Sequence, residues 1–253
     1  MAPGGDGFAA VILAAGQGKR MGTALAKVLH PVGGEPMIRH VVTTARESGA
    51  RPIVIVVGHQ ARDVQRAFSG DDGDIVFAFQ EEQLGTGHAA EVGLSALSPG
   101  AKHLYLLCGD APLIRTVTLR RLARLHGEAH AAATMLTAFA GKPHGYGRVV
   151  REGAELVGVV EEADATDAQK TITEINTGAY AFEIAFLRAA LPRIRAENNQ
   201  GEFYLPDVFP IARAEGRVIL GLDLVTPEEG LGVNTQADLR RAQEIHEERK
   251  SEG

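Results

Sequence analysis

The chain has 253 residues, 45% hydrophobic and 23% charged, with a net charge of −6 and one cysteine. This is enough chain for one large or two small domains of ordinary globular composition. The acidic balance argues against nucleic acid or an anionic membrane surface as partner, and a single cysteine excludes an intrachain disulfide framework or a cysteine zinc site.

No apolar run approaches the roughly 20 residues needed to cross a bilayer. The opening MAPGGDGF has neither a basic nor an apolar signal region. Residues 1–7 are therefore expected to be a disordered leader, and the protein to be cytoplasmic. Strand and helix patterns then alternate. FAAVILAA (8–15) reads as a first strand, and MIRHVVTTARE (37–47) places Met37, Ile38, Val41, Val42 and Ala45 at helical spacing. PIVIVV (52–57) is the continuous apolar run of a buried parallel strand. ARDVQRAF (61–68) is helical, DIVFAF (74–79) a strand, GHAAEVGLSAL (87–97) a helix, HLYLLC (103–108) a strand and TVTLRRLARLHGEA (116–129) a helix. This order predicts an α/β fold: a Rossmann-like, mixed but mostly parallel sheet flanked by helices, whose ligands sit beyond the carboxyl ends of the strands.

After about residue 128 the rhythm changes. Residues 129–139 read as a longer strand, 147–162 as a hairpin turning at REGAE, 176–182 and 217–225 as strands, and 235–253 as a charged helix. The expected organisation is one domain over 8–240 with two lobes, the second (about 129–234) smaller and acting as a lid. There are no internal repeats.

VILAAGQGKRM (11–21) resembles several phosphate loops. A dinucleotide loop needs G-x-G-x-x-G, but Met21 takes the third glycine position; a Walker loop needs G-x-x-x-x-G-K-[ST], which is absent. What remains is Gly16 and Gly18 with Lys19, Arg20 and, further on, Lys27. Glycines let main-chain N–H groups approach phosphate, and the cations supply charge-assisted contacts. Asp110 follows the apolar strand 103–108 and suits a Mg²⁺ ligand or a turn cap. Asn234 suits a helix N-cap before TQADL.

LAAGQGKRM followed by KVLHPVGG resembles the signature of the sugar-nucleotide pyrophosphorylases. QEEQLGTGHA (80–89), LLCGDAPLI (106–114), GYGR (145–148), VEEADAT (160–166), EINTG (174–178), NNQGEFYLPD (198–207) and GVN (232–234) agree in the same order. The resemblance covers residues 8 to about 240 and is strongest to uridylyltransferase domains acting on N-acetylglucosamine 1-phosphate. It implies the nucleotide-diphospho-sugar transferase fold, a smaller sugar-binding lobe, and transfer of UMP from UTP to N-acetylglucosamine 1-phosphate.

The resemblance also implies roles. Leu13, Ala14, Ala15, Gly16, Gln80, Gly85 and Thr86 would hold uridine. Arg20, Lys27 and Asp110 would serve catalysis, with Asp110 and Asn234 holding Mg²⁺. Gly147, Glu161, Asn176 and Tyr204 would grip the sugar. In-line attack by a phosphate that is already anionic needs alignment and charge neutralisation rather than a strong base. Relatives often carry Tyr, Thr and Lys where this chain has Cys108, Pro206 and Ala163. Those departures keep glucose 1-phosphate or another sugar 1-phosphate open as substrate, and a non-catalytic nucleotide-sugar binder is the other alternative. No hexapeptide repeats follow residue 240, so neither an acetyltransferase β-helix nor its trimerisation is expected.

Overall fold

The apolar run Phe8–Leu13 forms β1, buried along nearly its whole length. In this computed structural model, residues 7–251 are described apart from positions 59, 72 and 225. Of the expected leader, residues 1–6 lie outside the described residues. After β1 come the two-residue strands β2 (Pro31–Val32) and β3 (Glu35–Pro36), α1 (Met37–Glu47), β4 (Ile53–Val57), α2 (Ala61–Arg66), β5 (Ile75–Phe79), α3 (Thr86–Ser95), β6 (His103–Cys108) and α4 (Thr116–Glu128). The second half adds β7 (Ala133–Phe139), the hairpin β8 (Arg148–Glu152) and β9 (Glu155–Val160), α5 (Asp167–Lys170), β10 (Glu174–Glu183), α6 (Ile184–Ala190), α7 (Val208–Ala214), β11 (Ile219–Asp223) and α8 (Gln236–Ser251).

The main sheet runs β11-β7-β10-β6-β1-β4-β5, with the β8–β9 hairpin attached through β10. β1 pairs in parallel with β4 and β6, while β10 runs antiparallel between β6 and β7. Period-two alternation in β1 sends Ala9 and Val11 to one face and Ala10 and Ile12 to the other. Ala89, Ala90 and Leu94 of α3, with residues of α6 and α7, cover the first face; Ile38, Val41 and Val42 of α1 and Leu119 and Leu122 of α4 cover the second. The mostly parallel sheet flanked by helices agrees with the sequence reading.

The small residues of α3 set where the site forms. A Cβ on Gly93 would come within 2.4 Å of Val11 and 2.8 Å of Val56, so α3 lies tight on β1 and β4. Strand order reverses at β1: the chain leaves it toward β4 and β5, then returns through α3 to β6 on the other side. The crevice beyond Leu13 and Cys108, which are register partners, is the switch point where ligands of such sheets bind.

Two features differ from the sequence reading. The strand expected from residue 129 begins at Ala133, because Ala129 and Ala131 still donate to Leu125 and His126 at the end of α4, with His130 left-handed (φ 48°). The short elements α5, α6 and α7, and the two-residue strands β2 and β3, were not anticipated. No helix among the described residues is long and apolar enough to cross a membrane.

Candidate active site

A cavity of about 720 Å³ opens at the switch point. Leu13, Ala14, Ala15, Gly16, Arg20, Lys27, Gln80, Gly85, Thr86, Asp110 and Asn234 all line it, joined by Gln17, Gln83, Cys108 and Glu202 among others. Eleven of the sequence-predicted residues thus meet in one space, although β1, β5, β6 and the start of α8 deliver them separately.

The floor is the loop after β1. Gly18 is left-handed (φ 60°), and a Cβ there would lie 2.7 Å from the Cβ of Lys27, so only glycine lets the loop rest on that lysine. One wall follows β5. Gln80 is only 3% exposed rather than solvated at a strand end. Its Nε2 donates to the Gly85 carbonyl (3.4 Å) and lies 3.1 Å from His88 Nδ1. Gln83 Nε2 donates to the Ala15 carbonyl (2.8 Å), joining this wall to the floor. The turn is also tied to the second half of the chain: Gly87 N–H donates to Phe203 O (2.7 Å), Phe203 N–H to Leu84 O (2.8 Å) and Leu205 N–H to Thr86 Oγ1 (3.0 Å).

A polar cluster closes the opposite end. Lys27 Nζ donates to Asp110 Oδ2 and to Asn234 Oδ1 (3.1 Å), and Arg20 Nη2 donates to the same Asn234 oxygen (2.9 Å). The Lys19 side chain lies outside the described residues. The cap of α8 is Thr235 rather than Asn234: Asp238 N–H donates to Thr235 Oγ1, while Asp238 Oδ2 accepts from the N–H groups of Asn234 and Thr235. Asn234 Nδ2 donates to Gly232 O (3.2 Å), which leaves its oxygen to Lys27 and Arg20. Val233 N–H donates to Asp110 O, and Gly232 N–H to the Tyr146 hydroxyl, fixing the two segments together.

This donor set suits a hard cation. One carboxylate and one amide oxygen leave most positions to phosphate oxygens and water, the usual arrangement for Mg²⁺. Among the described residues there is no cluster of three or more His, Cys, Asp or Glu side chains of the kind that cages a metal alone. Two cationic side chains already converge on the Asn234 oxygen, which marks the spot as one that attracts positive charge. Beside it, burial and then the Asp110 carboxylate push the Cys108 thiol up to about 12, leaving it a neutral wall.

Gly147, Glu161, Asn176 and Tyr204 do not line that cavity. They form an adjoining group where β8, β9 and β10 meet. A Cβ on Gly147 would come 3.0 Å from Glu161 Oε1, and Asn176 N–H donates to Gly147 O (2.9 Å). The Asn176 side chain donates to the Tyr180 hydroxyl (2.7 Å) and accepts from Gly178 N–H (3.1 Å), so it is held in place. Burial, then the charges of Asp207, Asp164 and Glu202, push the Glu161 carboxyl up to about 7, with Arg148 opposing. Burial and Asp164 likewise raise the Tyr204 hydroxyl. Glu202 belongs to both groups, lining the cavity and facing Glu161.

Sequence reading missed Gln83, Tyr146, His88 and Asp238. Gln83, His88 and Tyr146 lie inside the motifs, but nothing local assigns their contacts, Tyr146 acting on Gly232 far away in the chain; Asp238 acts on the neighbouring Asn234 and Thr235, three to four residues before it.

Comparisons with known proteins agree with this geometry. The MobA-like NTP transferase domain matches residues 10–177. The chain is 47% identical over 247 residues to the bifunctional protein GlmU of Syntrophotalea carbinolica, covering 98% of this chain and 53% of that protein. It is 46% identical to GlmU of Geotalea uraniireducens (95% and 52% covered) and 44% identical to GlmU of Geobacter sulfurreducens (94% and 50%). The chain therefore spans about half the length of the curated relatives it matches. Among solved structures, a chain assigned as a glucose-1-phosphate thymidylyltransferase from Bacillus anthracis superposes with a TM-score of 0.74 at 19% identity (94% and 95% covered). A nucleotidyl transferase from Methanothermobacter does so with 0.66 at 21% (96% and 99%); at such identities these two speak for the fold. On the match over residues 10–177, the chain belongs to the MobA-like NTP transferase domain family.

Proposed function

We propose that the protein transfers UMP from UTP to N-acetylglucosamine 1-phosphate, giving UDP-N-acetylglucosamine and pyrophosphate in the cytoplasm. The observation that carries this reading is one cavity holding both a polar wall at Gln80 and the Lys27–Asp110–Asn234–Arg20 cluster, with the Glu161–Tyr204 group beside it. The identity of 44–47% to GlmU relatives and the ordered motifs support the same assignment.

In the proposed reaction a sugar-phosphate oxygen forms a bond to the α-phosphorus of UTP as the bond to the bridging oxygen breaks, and pyrophosphate leaves with that oxygen. The nucleophile is largely anionic at neutral pH, because a phosphate monoester has its second pKa near 6. The protein's task is alignment and charge neutralisation. Ala14, Ala15 and Gly16, with Gly85 and Thr86, hold the uridine against Gln80 and Leu13. Lys27 neutralises charge at the α-phosphate and Arg20 at the departing pyrophosphate. Asp110 and Asn234 would hold Mg²⁺, which when bound neutralises phosphate charge during displacement. Gly147, Asn176 and Tyr204 position the sugar, and Glu161 accepts from its hydroxyls.

A close variant keeps this chemistry and changes the sugar. It is favoured by Cys108, whose thiol donates to the Gly178 carbonyl (3.4 Å) between the cavity and the sugar-side group. Pyrophosphate release from UTP with a panel of sugar 1-phosphates decides. The expected result is highest kcat/KM with N-acetylglucosamine 1-phosphate. Preference for glucose 1-phosphate would select the variant, and nucleotide-sugar binding without release from any sugar would overturn both.

A further inference from the structure

Gln80 is the buried polar side chain of the base wall, and its amide has two faces that read opposite chemistry. The oxygen accepts a hydrogen bond and the nitrogen donates two. Which face meets the ligand decides what the pocket selects, and the answer is fixed by two neighbours. The Gly85 carbonyl can only accept, so the group 3.4 Å from it is the amide nitrogen. His88 Nδ1 lies 3.1 Å from that same nitrogen. With one amide hydrogen on Gly85 O, the second is directed to His88 Nδ1, which must then be the unprotonated ring nitrogen, with Nε2 carrying the hydrogen.

We infer that His88 is a positioning residue for base selection: by accepting from Gln80 Nε2 it holds the amide so that only the acceptor, Oε1, is free for the base. The inference rests on the uridylyl-transfer reading of the cavity. The N–H groups of Ala15 and Gly85, which also line the cavity, have no acceptor among the described residues. One fixed acceptor among main-chain donors complements an imide edge, in which an N–H lies between two carbonyls. Uracil presents that edge. Cytosine has a bare ring nitrogen in place of the N–H and an amino group in place of one carbonyl, so it sets acceptor against acceptor and donor against donor. A buried polar group left unpaired in this way is what rejects the wrong base. Without the His88 acceptor, only the long contact to the Gly85 carbonyl (3.4 Å) still opposes a turn of the amide, so Gln80 presents its nitrogen more often and the pocket tolerates cytosine better. His88 sits three residues after Gly85, in the first turn of α3, so the helix carries the orienting partner while the end of β5 carries Gln80.

The test compares kcat/KM for UTP and CTP, with N-acetylglucosamine 1-phosphate as acceptor, in wild type, His88→Phe and His88→Asn. Phe keeps the ring and removes the acceptor, whereas the Asn oxygen replaces Nδ1. The UTP-to-CTP preference is expected to fall about tenfold in His88→Phe, the worth of one hydrogen bond at the upper end of its range, and to return in His88→Asn. Equal losses with both nucleotides in His88→Phe would overturn the inference and leave the uridylyl-transfer reading intact. A wild type that binds UTP more tightly than CTP but turns over neither would overturn that reading instead, while one that turns over both equally would overturn the assignment of Gln80 and with it this inference. The wild-type protein provides an independent measurement should His88→Phe not fold: ¹⁵N shifts of the His88 ring are expected to show a protonated Nε2 and a bare Nδ1, and a proton on Nδ1 would contradict the assignment.

Discussion

At the scale of single residues, position relative to charge matters more than residue type. Asp110 and Glu161 are both carboxylates near the cavity, but their surroundings differ. Asp110 faces the Lys27 ammonium, while Glu161 is half-buried beside Asp207, Asp164 and Glu202. Asp110→Ala is expected to lower kcat by at least about 100-fold, as loss of a group that neutralises developing charge does; steady-state assay at saturating UTP checks this, and a near-normal rate would remove Asp110 from the chemistry. Glu161 gives a pH prediction whose sign follows from its upward displacement. Between its ordinary 4.5 and its folded value of about 7 the folded state holds a proton that the unfolded state releases, so stability falls as pH rises across that interval. Asp207, also raised by burial, acts with the same sign. Thermal unfolding followed against pH should show a smaller slope over that interval in Glu161→Gln than in wild type, and a higher Tm above it.

At the scale of elements, α8 and α3 each bring a side chain to the cavity by the way they begin. The start of α8 is a reciprocal cap between Thr235 and Asp238, and the Asp238 carboxylate also accepts from Asn234 N–H. Asp238→Ala removes these contacts together. It is expected to cost about 1 kcal/mol of stability and to raise the Mg²⁺ concentration for half-maximal rate by roughly tenfold, as loss of an orienting partner does; a metal titration of the rate checks it, and an unchanged midpoint would free Asn234 from this support. The capping also explains what was and was not legible beforehand. Asn234 before TQADL reads locally as a helix cap, and only the fold reveals that Thr235 takes that task and leaves the amide oxygen to Lys27 and Arg20. Asp110 was readable because an apolar strand ends two residues earlier. The displacement of Glu161 was not, since it arises first from burial and then from Asp207, Asp164 and Glu202, of which packing brings Asp207 and Glu202 in from far along the chain. Helices α6 and α7 escaped because seven residues give barely two helical turns of periodicity, and Pro210 sits in the first turn of α7, where proline is tolerated. The alternation of apolar strands and amphipathic helices over residues 8–128, by contrast, was strong enough to give the parallel half of the sheet.

At the scale of the whole molecule, the two halves of the chain share one sheet and meet around one crevice. β10 runs antiparallel between β6 and β7, so strands from the second half continue the sheet begun by the first. Two main-chain bonds to Phe203 and one from Leu205 N–H to the Thr86 hydroxyl join the 84–87 turn of the base wall to the segment carrying Glu202 and Tyr204. This continuity places the proposed nucleotide and sugar groups side by side, as an in-line displacement at the α-phosphorus requires. The central claim, that the α-phosphate is transferred rather than merely held, is tested most directly with UTP radiolabelled at that phosphorus, incubated with Mg²⁺ and N-acetylglucosamine 1-phosphate. The account predicts that the label moves into UDP-N-acetylglucosamine while an equal amount of unlabelled pyrophosphate is released; label that stays in UTP, or appears only in free UMP or UDP, would contradict it.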